Sequence, residues 1–382
     1  PHTHTHRMRQ HLLALLAAVA LGAAQQAFIG LDASANVVIH PPRNGTVMVD
    51  GADFRALVAT AQALKQRLDA QQCVLAADRT TMAGFPANGA KWVGGVLAGN
   101  GKIYGIPHGA SAVLIVDPVT NTADVTTITS LGTTDAKWHG GVLAGNGKIY
   151  GIPRSAKSVL IIDPATNTAD MTAIAGFTGT HQWFGGVLAG NGKIYAAPHD
   201  APSVLIIDPA TNTSDTTTIA GLTGAGKWYG GVLAANGKIY CTPYIASYVL
   251  IIDPATNTTD RTTMAGLAGT DGKWFSGALA PNGKIYGMPA SSDAVLVIDP
   301  ATNATDVTTM TGFNGASWNG AVLAPNGQMY GIPWIAPTLL IIDPATNTTD
   351  TTSVTGFGGG GLWAGGVLAP SGKIYGMPWA AP

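Results

Sequence analysis

Residues 146–170 read NGKIYGIPRSAKSVLIIDPATNTAD, and nearly the same words appear six times in the chain, the first few of them a seventh time. Tryptophan marks the period: Trp92, Trp138, Trp183, Trp228, Trp274, Trp318 and Trp363 recur at spacings of 44 to 46. A Tyr follows each Trp by 12 residues, from Tyr104 to Tyr375, and an Asp follows the first six by 25, from Asp117 to Asp343. All variation in length, 19 to 21 residues, falls between that Asp and the next Trp. A fixed core with an elastic joint is the signature of a structural repeat.

Four strands are legible in one unit. GGVLA is short and glycine-rich, as a strand approaching a crowded axis must be. Asn-Gly, or Ser-Gly in the last copy, turns the chain, since these residues tolerate the positive φ of a tight hairpin. KIYGIP is the second strand, ended by Pro, and SVLIID the third, an apolar run suited to burial on both faces. DPATNT turns again, with Pro pre-set and Asp capping its own backbone. DTTTIAG, polar and Thr-rich, suits a solvated edge. Four strands in about 45 residues is the period of a propeller blade.

The repeat GGVLA-NGKIYGIP-SVLIIDPATNT resembles YVTN/NHL-type and kelch-like propeller repeats, and is similar to secreted repeat arrays of algae and other microbial eukaryotes. The resemblance spans about 78–379 and implies an all-β, seven-bladed β-propeller of four-stranded blades; it implies little about activity. DRTTMAGF at 78–85 nearly duplicates DRTTMAGL at 260–267. It is expected to be an outer strand closing the ring within 78–382. The last blade lacks an SVLIIDP strand and is therefore incomplete, as in a reading frame that stops early.

Composition agrees with an all-β chain. All 21 acidic residues are Asp, which favours turns, and none is Glu, which favours helices. A net charge of -1 offers no drive toward nucleic acid. Within 1–24, Met8 opens a basic start and an apolar run, Leu12 to Leu21, with the layout of a signal peptide and too short for a membrane span. An exported protein follows as the expectation. Residues 25–77 read as a hairpin within 36–54 and a neck helix. Phe54, Leu57, Ala61, Leu64 and Leu68 form its apolar stripe, packed on the propeller or serving as an oligomerising neck. In the second case Cys73 is a candidate interchain disulfide, and self-association, as trimer or filament, is expected.

Strand order places the Asn-Gly and DPATNT turns at one end of the ring and the loops flanking each Trp at the other. The first end is nearly constant among copies; the second is where they differ. After the strand-two Pro stand His108, Arg154, His199, Tyr244, Ala290, Trp334 and Trp379; after the Trp stand Val93, His139, Phe184, Tyr229, Phe275, Asn319 and Ala364. Aromatic and His side chains around a rim suit stacking on sugars or anchoring a protein partner. His108, His139, His181 and His199 share this end but lack short ligand spacing, so no metal site is assigned. The Asp pair of each DPATNTxD turn, such as Asp163 and Asp170, reads as turn chemistry rather than a calcium loop. Asn44, Asn212, Asn257, Asn303 and Asn347 open N-x-[ST] sequons, candidate glycan acceptors in an exported eukaryotic protein. The run GFGGGGL precedes Trp363 rather than a helix and carries no cofactor signal; no cofactor and no catalytic residue are assigned. The expected role is structural or adhesive, at a cell surface, matrix or filament. Binding a glycan or protein is the alternative, and lyase or hydrolase chemistry the third reading.

Overall fold

The structure, a computed structural model, describes residues 28–31, 37–40, 76–85, 89–269, 271–358 and 360–381. It divides into two units, Pro1–Cys73 and Val74–Pro382. In the first, Phe28–Leu31 pairs antiparallel with Val37–His40, Phe28 opposite His40. The hairpin expected within 36–54 thus uses VVIH but pairs it backward with FIGL, across a spacer, DASAN, rich in turn formers. The stretch 1–24, Asn44, the helix expected around Phe54 to Leu68, and Cys73 lie outside the described residues.

The second unit is a β-propeller of six four-stranded antiparallel blades and a two-stranded seventh. Blade one is Trp92–Leu97, Ile103–Pro107, Leu114–Asp117 and Thr122–Asp124, paired in chain order. Blade seven has Trp363–Leu368 and Ile374–Pro378. The seventh blade is incomplete, as expected, but the outer strand expected at 78–85 is not formed: residues 76–85 carry no strand. An outer strand needs a third strand to pair with, and among the described residues the seventh blade has none. Asp78 instead caps a turn, accepting from the backbone N–H of Thr80 (2.9 Å) and Thr81 (3.1 Å). The same turn follows the outer strands, as at Asp124. Met82 and Phe85 still pack on the core that joins Trp92 to Val367 and Tyr375, at the seam of blades seven and one.

Glycine brings the inner strands together around the axis. A bulge follows each Trp, where the register shifts by one residue, as between Trp92 and Gly95. The second residue after the Trp is Gly in six blades, with φ between +68° and +88°. A Cβ on Gly94 would stand 3.1 Å from Gly140 Cα, and one on Gly365 3.1 Å from Gly94 Cα, so the belt closes from blade seven to blade one. Only blade five departs, with Ser276.

The core lies between blades. Tyr104, Ile106, Val113 and Ile115 of blade one pack against Trp138, Ile149, Leu160 and Ile162 of blade two. Ile103, Leu114 and Val116 face the other way, toward blade seven. The third strand is thus buried on both faces, which is why it reads as an unbroken apolar run. In blades one to six the Trp indole N–H donates to a carbonyl 20 residues on, at 2.7–3.1 Å.

The constant end is clasped by side chains. Tyr195 Oη donates to Asn257 Oδ1 (2.7 Å) of the next blade and accepts from Asn191 Nδ2 (3.0 Å), which also reaches the Pro254 carbonyl (3.0 Å). The clasp recurs from Tyr104 to Asn167 and closes the ring from Tyr375 to Asn121 (2.7 Å). Tyr195→Phe is expected to cost about 1 kcal/mol, the net worth of one such bond, with an unchanged denaturant slope. An unaltered urea midpoint would show the clasp to be energetically idle.

Candidate functional site

At the variable end the backbone is more regular than the side chains suggest. The N–H of each residue after the strand-two Pro donates to the carbonyl of the residue before its own Trp, as from His108 to Lys91 (2.8 Å). Its carbonyl accepts from the residue before the next Trp, as His108 from Lys137 (2.9 Å) and Arg154 from Gln182 (2.7 Å). This belt runs around the ring through Trp379 to Lys91 (3.0 Å) and, among the described residues, breaks once, between Ala290 and Ser317. Backbone bonds ignore side-chain identity, so the positions are held while their side chains differ.

Those side chains form two layers. His108, Arg154, His199, Tyr244, Trp334 and Trp379 make an upper crown, half-buried except for His108, which is buried. Beneath them Phe184, Tyr229 and Phe275 form a buried cluster, and His139 is buried beside them. The aromatic rim expected from the sequence is therefore half surface and half core: the lower rings spend their faces on one another. Ring centroids connect Trp334 to Trp379 (5.1 Å) and Trp379 to His108 (4.5 Å), then His199 to Tyr244 (5.7 Å). Arg154 bridges the interval, its guanidinium bonded to His108 and 4.9 Å from the Phe184 ring, which stacks on His199 at 3.9 Å. Tyr244 reaches Phe275 (5.9 Å) and Phe275 reaches Trp334 (6.3 Å), closing the circuit past the small Ala290. The glycine run has its use here: the Trp334 ring lies over Gly361, where a Cβ would meet it at 3.2 Å.

Below the crown an axial cavity of about 130 Å³ is lined by the glycine belt, His139, Tyr229 and Asn319. Tyr229 Oη accepts from Asn319 Nδ2 (3.1 Å) and meets His139 Nε2 (2.8 Å), while His139 Nδ1 is buried without a partner.

Burial controls the charges. It pushes His108 and His199 down to about 4, with Arg154 adding to the shift, and holds His139 further below its usual value. Arg154 can only donate, so His108 Nε2 carries the lone pair and Nδ1–H donates to Asp135 Oδ1 (3.1 Å). His199 Nδ1 pairs with Asp200 (2.8 Å). The four histidines gather at one end, yet among the described residues no group of three His, Cys, Asp or Glu side chains is set to hold a metal. At the opposite end Asp163 and Asp170 do not share a site: Asp163 accepts from Ala165 N–H (3.0 Å) and Asp170 from Thr172 N–H (2.6 Å). Asn212, Asn257 and Asn347 commit their amide oxygens to the Tyr clasp; Asn303 is exposed and makes no such bond.

Sequence reasoning missed the lysines before the Trp. Lys137, Lys227 and Lys273 are buried, and their ammonium groups bond backbone carbonyls: Thr134, His199 with Ala201, and Ile245 with Gly269, respectively. Their recurrence at one position of the period was the available signal.

No family model and no curated protein matches the sequence. The fold is similar to that of a streptogramin B lyase, with 13% identity and a TM-score of 0.61 over 78% of this chain and 93% of that one. It is similar to virginiamycin B lyase from Staphylococcus aureus, with 11% identity and a TM-score of 0.60 over 78% and 94%. The extracellular domain of a hybrid two-component system from B. thetaiotaomicron gives 10% and 0.59, over 77% of this chain and 38% of that one. At these identities the likeness shows the propeller fold alone.

Proposed function

We propose that this chain is an exported propeller that binds a glycan or protein partner through the crown, with adhesion at a cell surface or matrix as the role such binding serves. The crown carries the reading: aromatic and cationic side chains, fixed by a backbone belt, stand at the one end where the copies differ. Rigid aromatic anchors in a half-desolvated ring are what binding surfaces concentrate. Extracellular domains among the similar folds support an external setting. Self-association through the N-terminal segment belongs to the same proposal.

A glycan array and calorimetry on positive probes test it. Trp334→Ala is expected to weaken binding tenfold or more, whereas Val119→Ser, 90% exposed on a turn of the opposite end, leaves it unchanged. Equal loss in both variants would dismiss the crown as the site. Elimination chemistry is the second reading, favoured by the His199–Asp200 pair, in which a carboxylate orients a half-buried imidazole. It requires turnover of a bound ligand that disappears in His199→Ala while binding persists.

A further inference from the structure

The two ends of the ring differ in how their cations are neutralised. At the turn end lysine faces carboxylate across the hairpin, as Lys193–Asp208 (3.4 Å) and Lys284–Asp299 (3.5 Å). At the crown end, among the described residues, neither Arg154 nor Lys137, Lys227 or Lys273 has a carboxylate within ion-pair distance, and the only acid contacts are those of His108 and His199. Arg154 is the sharpest case. One terminal nitrogen, Nη1, bonds the neutral His108, and the guanidinium lies over Phe184. Nε is buried without a partner, and Nη2 makes no bond yet is not buried away from solvent. Nη2–H is therefore the donor of the group that stays open to a ligand oxygen, and a charge-assisted bond to a carboxylate or sulfate is the strong contact it can make. A half-desolvated guanidinium with no carboxylate partner is costly unless an anion sits beside it.

We infer that the crown's ligand is an acidic saccharide, with an oxyanion seated at Nη2 of Arg154 and sugar faces against the half-buried rings of Trp379 and Trp334. The inference rests on the crown being the binding site. His108 and Asp135 act as positioning residues: Asp135 holds the Nδ1–H tautomer, which keeps the Nε2 lone pair aimed at Nη1 and leaves Nη2 of Arg154 free. Trp379 lies 4.5 Å from His108, ring to ring, so the charged and stacking parts of the surface are continuous.

Calorimetry of the full chain with three probes tests this: trigalacturonate, its methyl ester, and a sulfated galactan trisaccharide. The expected result is binding of trigalacturonate or the sulfated sugar that weakens tenfold or more in Arg154→Gln; for trigalacturonate, esterification has the same effect. Arg154→Lys recovers part of it, because it restores the charge but not the N–H fixed in place by the bond to His108. Whichever of the two acidic probes binds more tightly identifies carboxylate or sulfate as the oxyanion. Unchanged melting temperatures of both variants certify their folding. If acid and ester bind alike, or if Arg154→Gln is silent while Trp334→Ala loses binding, the anion inference fails and the crown survives. If Trp334→Ala is silent toward a probe that binds, the crown itself is overturned. Failure of both acidic probes to bind at millimolar concentration overturns the inference outright.

Discussion

Replacing Trp228 by Ala is expected to destabilise the propeller by about 3–5 kcal/mol, the range for truncating a large buried aromatic. Trp228 is fully buried. It wedges Tyr195, Val204, Ile206 and Leu222 of blade three against Ile239, Leu250 and Ile252 of its own blade. Its indole N–H donates to the Tyr248 carbonyl (3.1 Å), and the Tyr248 ring meets it edge-on at 5.5 Å. Truncation opens a cavity between two rigid sheets that cannot collapse into it, and strands a carbonyl at the blade edge. Trp363 is the internal control. It is half-buried, makes no such bond among the described residues and belongs to the two-stranded blade. Trp363→Ala should cost less than half as much in urea unfolding. Equal costs would show that the indole wedge between complete blades is not what these tryptophans contribute.

Lowering the pH from 7 toward 4 is expected to destabilise the fold more than any one crown substitution. His108 and His199 are held neutral by burial, down to about pH 4, whereas an unfolded histidine titrates near 6.5. Between those limits the unfolded chain binds protons that the folded chain refuses, so unfolding free energy falls as pH falls through the window and levels off below it. His108 faces Arg154 and Lys137, which oppose its protonation, and Asp135, which favours it; His199 faces His181, Arg154 and Asp200 in the same opposed senses. At about 1.4 kcal/mol per pKa unit, the two groups together place the loss on the order of 5 kcal/mol. Their side chains are only 2% and 12% exposed, so solvent screening leaves most of it. Asp124 and Asp350, held down to about 2 by Thr and Ser hydroxyls and backbone N–H groups, keep their turns intact until lower pH. Urea midpoints at pH 7, 5.5 and 4.5 measure the effect. His108→Asn with His199→Asn should make the profile shallower, leaving the part due to the buried His139, and a wild-type profile already flat to pH 4 would refute the account.

The four-stranded blade, the count of repeats and the end at which they diverge were legible in residues such as Trp183, Asn191 and Pro198. Each follows from something local: an apolar run, a turn former, a proline, or a period that needs only comparison along the chain. The fourth strand was misplaced: it is the short stretch ending at the Asp, such as Thr213–Asp215, and not the DTTTIAG run, which turns away after it. The absent outer strand at 78–85 was misread because DRTTMAG is the turn after that strand, and a turn motif retains its shape without the sheet it follows. The crown's two layers, the clasp of Tyr195 on Asn257, the carbonyl-bound lysines and the absence of a carboxylate at Arg154 emerge only in three dimensions. Several of the partners belong to a neighbouring repeat, 46 residues away for His108 and Arg154, 62 for Tyr195 and Asn257, and 28 for Lys227 and the His199 carbonyl. Whether such side chains meet depends on the rotation from one blade to the next and on which face of the ring each projects from. Burial and charge at the axis are sums over seven blades, and no single repeat contains them.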